Sequence, residues 1–193
     1  MPAFDLTPAT DDLAALVAAV PDDALAGPTP CPAMTVGALL DHIAGLSLAF
    51  TMAATKEEIP GGPAGPSADA TALPADWRDE IPARLAALAA AWQAPTAWEG
   101  MTMAGPIEMP APDAALVALD EVVVHGWDLA RATGRPFAPD PALLEACHGF
   151  VAQFGDERPP GLFGPIVPVP GDAPLLDRVI GLTGRDPGWT PGA

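Results

Sequence analysis

One long helix, around which the rest of the chain is arranged, is encoded by D-A-A-L-V-A-L-D-E-V-V-V-H-G-W-D-L-A-R-A-T-G, residues 113–134. The run contains no proline, and it ends at Gly134, two residues before Pro136. Because glycine and proline terminate helices, this pattern predicts a single helix with Asp113 in the N-cap position.

Glu121 and His125 stand four residues apart in this helix. That spacing places both side chains on one face, one turn apart, so that a carboxylate oxygen and an imidazole nitrogen can bind the same ion. Burying them inside a bundle without a partner is costly, and a metal ion is a partner for both. The same spacing is also common in ordinary surface pairs. The residues beside them on this face are small, which leaves room for a ligand: Ala114, Ala118 and Ala132.

A third ligand is predicted on a second helix. His42 lies near the helical line of Leu39 and Leu46 and is therefore expected to face inward. Three protein ligands on a tetrahedral ion leave one position for water or substrate, which is typical of a reactive site. The alternative is that His42 is an ordinary core histidine without a metal.

Five further helices are predicted from apolar periodicity and from residues that favour helix ends. Thr10 and Thr35 are the expected N-caps of the first two. Residues 94–112 are compatible with a short strand or with irregular chain. The predicted helices cover residues 11–20, 35–56, 76–93, 141–154 and 173–183.

Two glycines and one long loop allow further structural predictions. Gly37 and Gly45 weaken the second helix unless another backbone comes close, so they predict a close helix crossing. The Pro/Gly-rich residues 59–75 are long enough to form a lid over the bundle or a mobile loop.

The economical architecture is all-α, a four-helix bundle with short C-terminal helical additions. We expect one domain over residues 1–193, with the bundle at about 8–134 and the extension at 135–193.

Composition excludes several classes of partner. Acidic residues outnumber basic residues 25 to 8, and the basic ones form no cluster, so nucleic acid is not an expected partner. Neither an apolar run of about 20 residues nor a signal peptide is recognisable in the sequence, which predicts a cytoplasmic protein without a membrane span. Cys31 and Cys147 are isolated and indicate neither a disulfide framework nor a cysteine-rich zinc site.

Three runs carry a resemblance to a known family: C-P-A-M-T-V-G-A-L-L-D-H-I-A-G-L, E-V-V-V-H-G-W-D-L-A-R-A-T-G and L-L-D-R-V-I-G-L-T-G-R-D-P. The chain resembles actinobacterial DinB-like metal-binding proteins related to the N-terminal domain of mycothiol-dependent maleylpyruvate isomerase. This resemblance implies a DinB-like four-helix bundle that holds a divalent metal, usually zinc, with nickel or iron as alternatives. The implied ligands are His42, Glu121 and His125.

The resemblance does not extend to the isomerase reaction, because that enzyme has a second domain that completes its active site. Only residues 137–193 follow the bundle here, which is too little for that domain. The sequence therefore predicts a metal-dependent thiol transferase or isomerase-like enzyme that acts on a small molecule, with mycothiol as the thiol cosubstrate.

Two more residues are predicted to take part in catalysis. Asp128 is expected to hold a ligand imidazole by its other nitrogen or to accept a proton, unless it is a surface or capping carboxylate. Arg131 is expected to reach an anionic substrate, unless it only pairs with Asp128. Trp127 is expected to pack in the core.

Two other functions remain open. The first is a non-catalytic metal-binding or regulatory bundle, in the form of a homodimer through apolar helix faces, with His148 or Asp128 as a fourth ligand. The second is an enzyme on the same fold that acts without a metal on a small apolar molecule.

Overall fold

The computed structural model describes residues 3–57, 66–155 and 163–192. Within these ranges the chain forms six α-helices and one β-hairpin. The helices are α1 (Thr7–Ala18), α2 (Val36–Thr55), α3 (Trp77–Trp92), α4 (Ala111–Thr133), α5 (Pro141–Val151) and α6 (Leu175–Leu182), and the strands are β1 (Met101–Ala104) and β2 (Ile107–Pro110).

The first four helices form a bundle in which α1 and α2 each pack against both α3 and α4. Helix α5 packs on α4, and α6 packs on α5. The core contains fully buried leucines from every bundle helix, including Leu13, Leu39, Leu85 and Leu119. The predicted all-α four-helix bundle with short C-terminal helical additions is confirmed.

Most predicted helix ends are confirmed. The hydroxyl of Thr35 accepts a hydrogen bond from the backbone N–H of Ala38, as an N-cap does. Lys56 and Gly134 end α2 and α4 in the left-handed conformation, with φ of 62° and 66°. In α5, Pro141 occupies the first turn after an Asp140 cap.

Two predicted N-caps are wrong. Helix α1 begins at Thr7 and α4 begins at Ala111, so Thr10 and Asp113 both lie inside helices. Each helix carries a proline in its first turn, where a missing N–H costs no hydrogen bond and the fixed φ suits the helix. The hydroxyl of Thr10 donates to a carbonyl of the preceding turn instead of capping the helix.

Residues 94–112, for which a short strand and irregular chain were both left open, contain the hairpin. The two strands are antiparallel, and Thr102 lies opposite Met109. The hydroxyl of Thr102 donates to the carbonyl of Ala53 at 2.6 Å, which attaches the hairpin to the end of α2.

The close helix crossing predicted from Gly37 and Gly45 is wrong, although a backbone does come close to both glycines. A Cβ on Gly45 would lie 2.7 Å from the Cβ of Pro66, and one on Gly37 would lie 3.2 Å from the Cβ of Ala70. The close segment is therefore residues 66–70, which is not helical. Residues 59–65 of the predicted lid lie outside the described residues, and the part from 66 onward lies against α2.

The expectation that the sequence holds no apolar run of about 20 residues is wrong for α2, which is long and apolar enough to cross a membrane by length and composition alone. However, 72% of its most apolar window is buried inside the protein. A core helix passes the same test, so this property is weak evidence for a membrane span.

Candidate metal centre

Three side chains converge between α2 and α4. The Nε2 atom of His125 lies 3.0 Å from Oε2 of Glu121, and the Nε2 atom of His42 lies 3.9 Å from the same oxygen. One donor atom from each of the three residues lies within 4.8 Å of the others. Among the described residues, this is the group of three that could hold a metal ion. The sequence-predicted ligands are therefore brought together, and the inward orientation predicted for His42 is found.

Both imidazole rings make a hydrogen bond through Nδ1, on the side of the ring away from Glu121. The Nδ1–H of His125 donates to Oδ2 of Asp128 at 2.9 Å, and the Nδ1–H of His42 donates to the carbonyl oxygen of Ser67 at 3.3 Å. Each ring therefore presents its Nε2 atom toward Glu121. Such a second hydrogen bond fixes the tautomer and orientation of a metal-binding histidine. Asp128 therefore makes the hydrogen bond to the His125 ring that the sequence predicted, while its role in metal binding or catalysis stays a prediction.

Asp128 is fully buried and is bound by a second charged group. The guanidinium of Arg185 donates to both carboxylate oxygens of Asp128, with Nε and NH2 each at 2.9 Å from one of them. This bidentate ion pair joins the loop after α6 to the back of the site. It also excludes the alternative that Asp128 is a surface carboxylate.

Arg131 does not line the cavity beside the three ligands. Its guanidinium donates to the carbonyl of Pro187 at 2.6 Å and lies over the ring of Trp127. The predicted pair of Arg131 with Asp128 is wrong, because Arg185 occupies that carboxylate. Trp127 is buried with Val124 and Ile180, as predicted.

The neighbouring groups of the site shift the pKa values of Glu121 and His125 so that each side chain stays charged. Burial alone would raise the pKa of Glu121, but the hydrogen bond from His125 and the nearby imidazole of His42 hold it well below its usual value. Burial alone would lower the pKa of His125, but its bonds to Asp128 and Glu121 raise it to about 9. Without a metal, the site therefore holds an imidazolium between two carboxylates.

This arrangement predicts a pH dependence for the metal-free protein. Because the folded state keeps the His125 proton up to a pKa of about 9, the stabilisation is complete below the ordinary value of 6.5 and is lost as pH rises. Asp120 acts in the same direction, since burial raises its pKa to about 8 and the folded state retains a proton that the unfolded state loses.

We expect the free energy of unfolding to fall by about 4 kcal/mol between pH 6.5 and pH 9, with His125 and Asp120 each contributing roughly half. Urea unfolding in the presence of a chelator measures it, and His125→Gln should reduce the dependence to the part that Asp120 contributes. Stability that increases over this range would contradict the assignment.

A cavity of about 430 Å³ opens beside the three ligands. Its wall comes from residues 30–34, from α2 and α4, and from the C-terminal extension through Phe163, Gly164 and residues 183–185. The extension therefore completes the site. Cys31 lies in this wall, and burial raises the pKa of its thiol despite the nearby Arg185.

Asp120 also lines this cavity, and it is 5% exposed. Its Oδ1 atom is the buried side-chain oxygen that lacks a hydrogen-bond partner among the described residues. Leaving a buried polar atom unpaired is costly, so a ligand or water in the cavity that forms a hydrogen bond with this oxygen would be stabilised there.

Comparison with known families gives a match over most of the helical bundle. A family model described as the mycothiol maleylpyruvate isomerase N-terminal domain matches residues 6–130.

The chain belongs to the mycothiol maleylpyruvate isomerase N-terminal domain family.

Two relatives come from Mycobacterium tuberculosis: Uncharacterized protein MT0763 of strain CDC 1551 / Oshkosh and Uncharacterized protein Rv0738 of strain ATCC 25618 / H37Rv. Each is 33% identical over 194 residues, which cover 92% of this chain and 93% of the relative. The family match confirms the resemblance inferred from the sequence motifs.

Solved structures share the fold. The crystal structure of the mycothiol-dependent maleylpyruvate isomerase matches with a TM-score of 0.56 and 19% identity over 76% of this chain and 67% of that chain. A mutant of the same enzyme matches with a TM-score of 0.58 over the same shares. At this identity the likeness concerns the fold alone.

Sequence reasoning missed Asp120, Arg185 and Cys31 as residues of the site. Arg185 is 57 residues from Asp128, so no local spacing connects them. The available signal was the position of Arg185 within the closing run L-L-D-R-V-I-G-L-T-G-R-D-P. His148, considered as a fourth ligand, lies in a different cavity and accepts a hydrogen bond from Arg178.

Proposed function

We propose that this protein is a metal-dependent enzyme of thiol chemistry, a thiol transferase or isomerase-like enzyme that acts on a small molecule. His42, Glu121 and His125 would hold the metal. The observation that carries this proposal is the convergence of both Nε2 atoms on one carboxylate, with each Nδ1 already bonded to an acceptor. Family membership adds that mycothiol is the expected thiol cosubstrate.

The residues present fit a divalent metal of the zinc type. Two imidazole nitrogens and a carboxylate oxygen are a donor set that zinc takes, and nickel or iron accept the same groups. A zinc ion bound there would supply a positive charge that lowers the pKa of a thiol or water ligand toward neutrality.

The remaining cavity residues have roles that follow from their contacts. Arg185 has five N–H donors, and three of them are used by Asp128 and the carbonyl of Thr183. The other donors suit a carboxylate on the substrate, a role that the sequence had given to Arg131. Oδ1 of Asp120 suits a hydrogen-bonding group of the thiol cosubstrate. The raised pKa of Cys31 keeps its thiol protonated, and we assign it no nucleophilic role.

The alternative of a non-catalytic metal-binding bundle has less support. It needs a fourth protein ligand, and both residues considered for that position are engaged elsewhere: His148 with Arg178, and Asp128 with His125 and Arg185. The alternative of an enzyme without a metal has to explain three convergent ligand atoms beside an open cavity.

The remaining expectations stay part of the proposal. We infer a cytoplasmic protein that binds neither nucleic acid nor membrane and that acts on a small-molecule substrate. A homodimer is also proposed, and light scattering tests it. Exposed apolar side chains of the hairpin are available for such an interface: Met101, Met103 and Ile107.

The test is turnover by the zinc-loaded protein with mycothiol and a panel of small anionic electrophiles that includes maleylpyruvate. We expect thiol-dependent conversion that falls at least about a hundredfold in His42→Ala, because the charge of the metal is lost from the site. His148→Ala, the same substitution outside the site, should keep the wild-type rate. Equal rates before and after removal of the metal would contradict the proposal.

A further inference from the structure

A second cavity, of about 340 Å³, lies between α5, α6 and the extended residues 166–169. Its lining shares no residue with that of the metal centre among the described residues. One part of the wall is polar, formed by His148 of α5 and Arg178 of α6. The other part is apolar, formed by residues 166–169 and Leu182. The volume is within the range of small-ligand sites in proteins.

The apolar wall is held firmly against α6. The backbone N–H of Val167 donates to the carbonyl of Gly181 at 3.0 Å. A Cβ at position 181 would lie 2.7 Å from the carbonyl oxygen of Val167, so the close approach depends on glycine. Helix α6 therefore positions residues 166–169, which form one side of the cavity.

The polar wall combines the charged guanidinium of Arg178 with a neutral imidazole of His148. The NH2 group of Arg178 donates to Nε2 of His148 at 3.0 Å, which leaves the imidazole neutral with its proton on Nδ1. Burial and the nearby Arg178 both lower the pKa of His148, which is consistent with this state.

Arg178 is the one arginine of the described residues whose guanidinium bonds to neither a carboxylate nor a backbone carbonyl. It lies within 4.0 Å of no carboxylate in these residues. Its remaining N–H donors are therefore available to a ligand. The other arginines bond to carboxylates (Arg78, Arg84 and Arg185) or to backbone carbonyls (Arg131 and Arg135).

We propose that this cavity is a binding site for a small organic carboxylate with a compact apolar body. The carboxylate accepts charge-assisted hydrogen bonds from Arg178, and the apolar body lies against residues 166–169 and Leu182. The geometry fixes both requirements: an anion alone leaves the apolar wall solvated, and an apolar molecule alone leaves the guanidinium without a partner. The site is independent of the metal centre and of the proposed thiol chemistry.

The experiment is an NMR titration of the full chain with hexanoate, acetate and hexan-1-ol as probes. We expect saturable amide shifts for hexanoate at residues 148, 166, 167, 169, 178 and 182, and binding at least about tenfold weaker for acetate and for the alcohol. Shifts confined to residues around Glu121, or no saturation by hexanoate, would overturn the proposal. Because the wild-type protein is used, this result does not depend on how any variant folds.

A pair of arginine variants tests the role of the guanidinium. Arg178→Gln should weaken hexanoate binding at least about tenfold. Arg135→Gln, whose guanidinium bonds to the Ala19 carbonyl on another part of the surface, should leave it unchanged. Removing the metal or introducing Glu121→Gln should also leave it unchanged, which separates a failure here from a failure of the proposed enzyme. Equal affinity in Arg178→Gln and wild type would contradict the site.

Discussion

Replacement of His42 by alanine is expected to weaken zinc binding roughly a thousandfold, since the free energy of a zinc site is shared among few ligands. The remaining pair, Glu121 and His125, stands on one helix and would hold the ion from one side only. The metal-free variant should stay folded, because the only hydrogen bond that the His42 side chain makes among the described residues is to the Ser67 carbonyl at 3.3 Å.

Competition with a fluorescent chelator measures this loss, and thermal unfolding in a chelator checks the fold. His148→Ala is the matched control, since it removes an imidazole from another cavity and should bind zinc as the wild type does. If His42→Ala kept wild-type affinity, the ligand set would be wrong. If His148→Ala lost the metal, an effect of histidine removal in general would be the better explanation.

Asp128→Ala should cost about 3–5 kcal/mol of unfolding free energy, the range for breaking a buried ion pair from one side. The Asp128 side chain is 0% exposed and that of Arg185 is 14% exposed, so the substitution leaves the guanidinium buried without its carboxylate. It also removes the acceptor that orients His125, and we expect zinc affinity to fall about 10–100-fold.

Urea unfolding of the metal-free variant measures the first effect, and zinc competition measures the second. Asp22→Ala is the control, because the pair of Asp22 with Arg78 is exposed and should contribute at most about 1 kcal/mol. Equal destabilisation by the two substitutions would show that the buried ion pair contributes no more to the free energy of unfolding than the exposed one. Unchanged zinc affinity in Asp128→Ala would contradict its role behind His125.

The helices and the ligand pair on α4 could be predicted because they depend on local sequence. Gly134 ends α4, Thr35 caps α2, and the four-residue spacing of Glu121 and His125 places them on one face. The N-cap errors at Thr10 and Asp113 have a local cause too. A proline in the first turn of a helix competes with a capping residue as a start signal, and here the proline marks the true beginning.

The other half of the site depends on contacts that are distant in sequence. Arg185 reaches Asp128 across 57 residues, and no periodic pattern records such a pair. The segment that comes close to Gly45 is a loop and not a helix, because a missing Cβ shows that space is needed without showing what fills it. The extension is too short to replace a second domain, yet its Phe163 and residues 183–185 line the cavity.

The most direct test is a cobalt(II) titration of the purified metal-free protein, followed by addition of a low-molecular-weight thiol. If the metal centre is as proposed, we expect one equivalent of cobalt bound per chain in the wild type, greatly weakened binding in His42→Ala, and a new sulfur-to-cobalt charge-transfer band when the thiol is added. A wild-type protein that binds no cobalt, or a cobalt spectrum that no thiol changes, would contradict it.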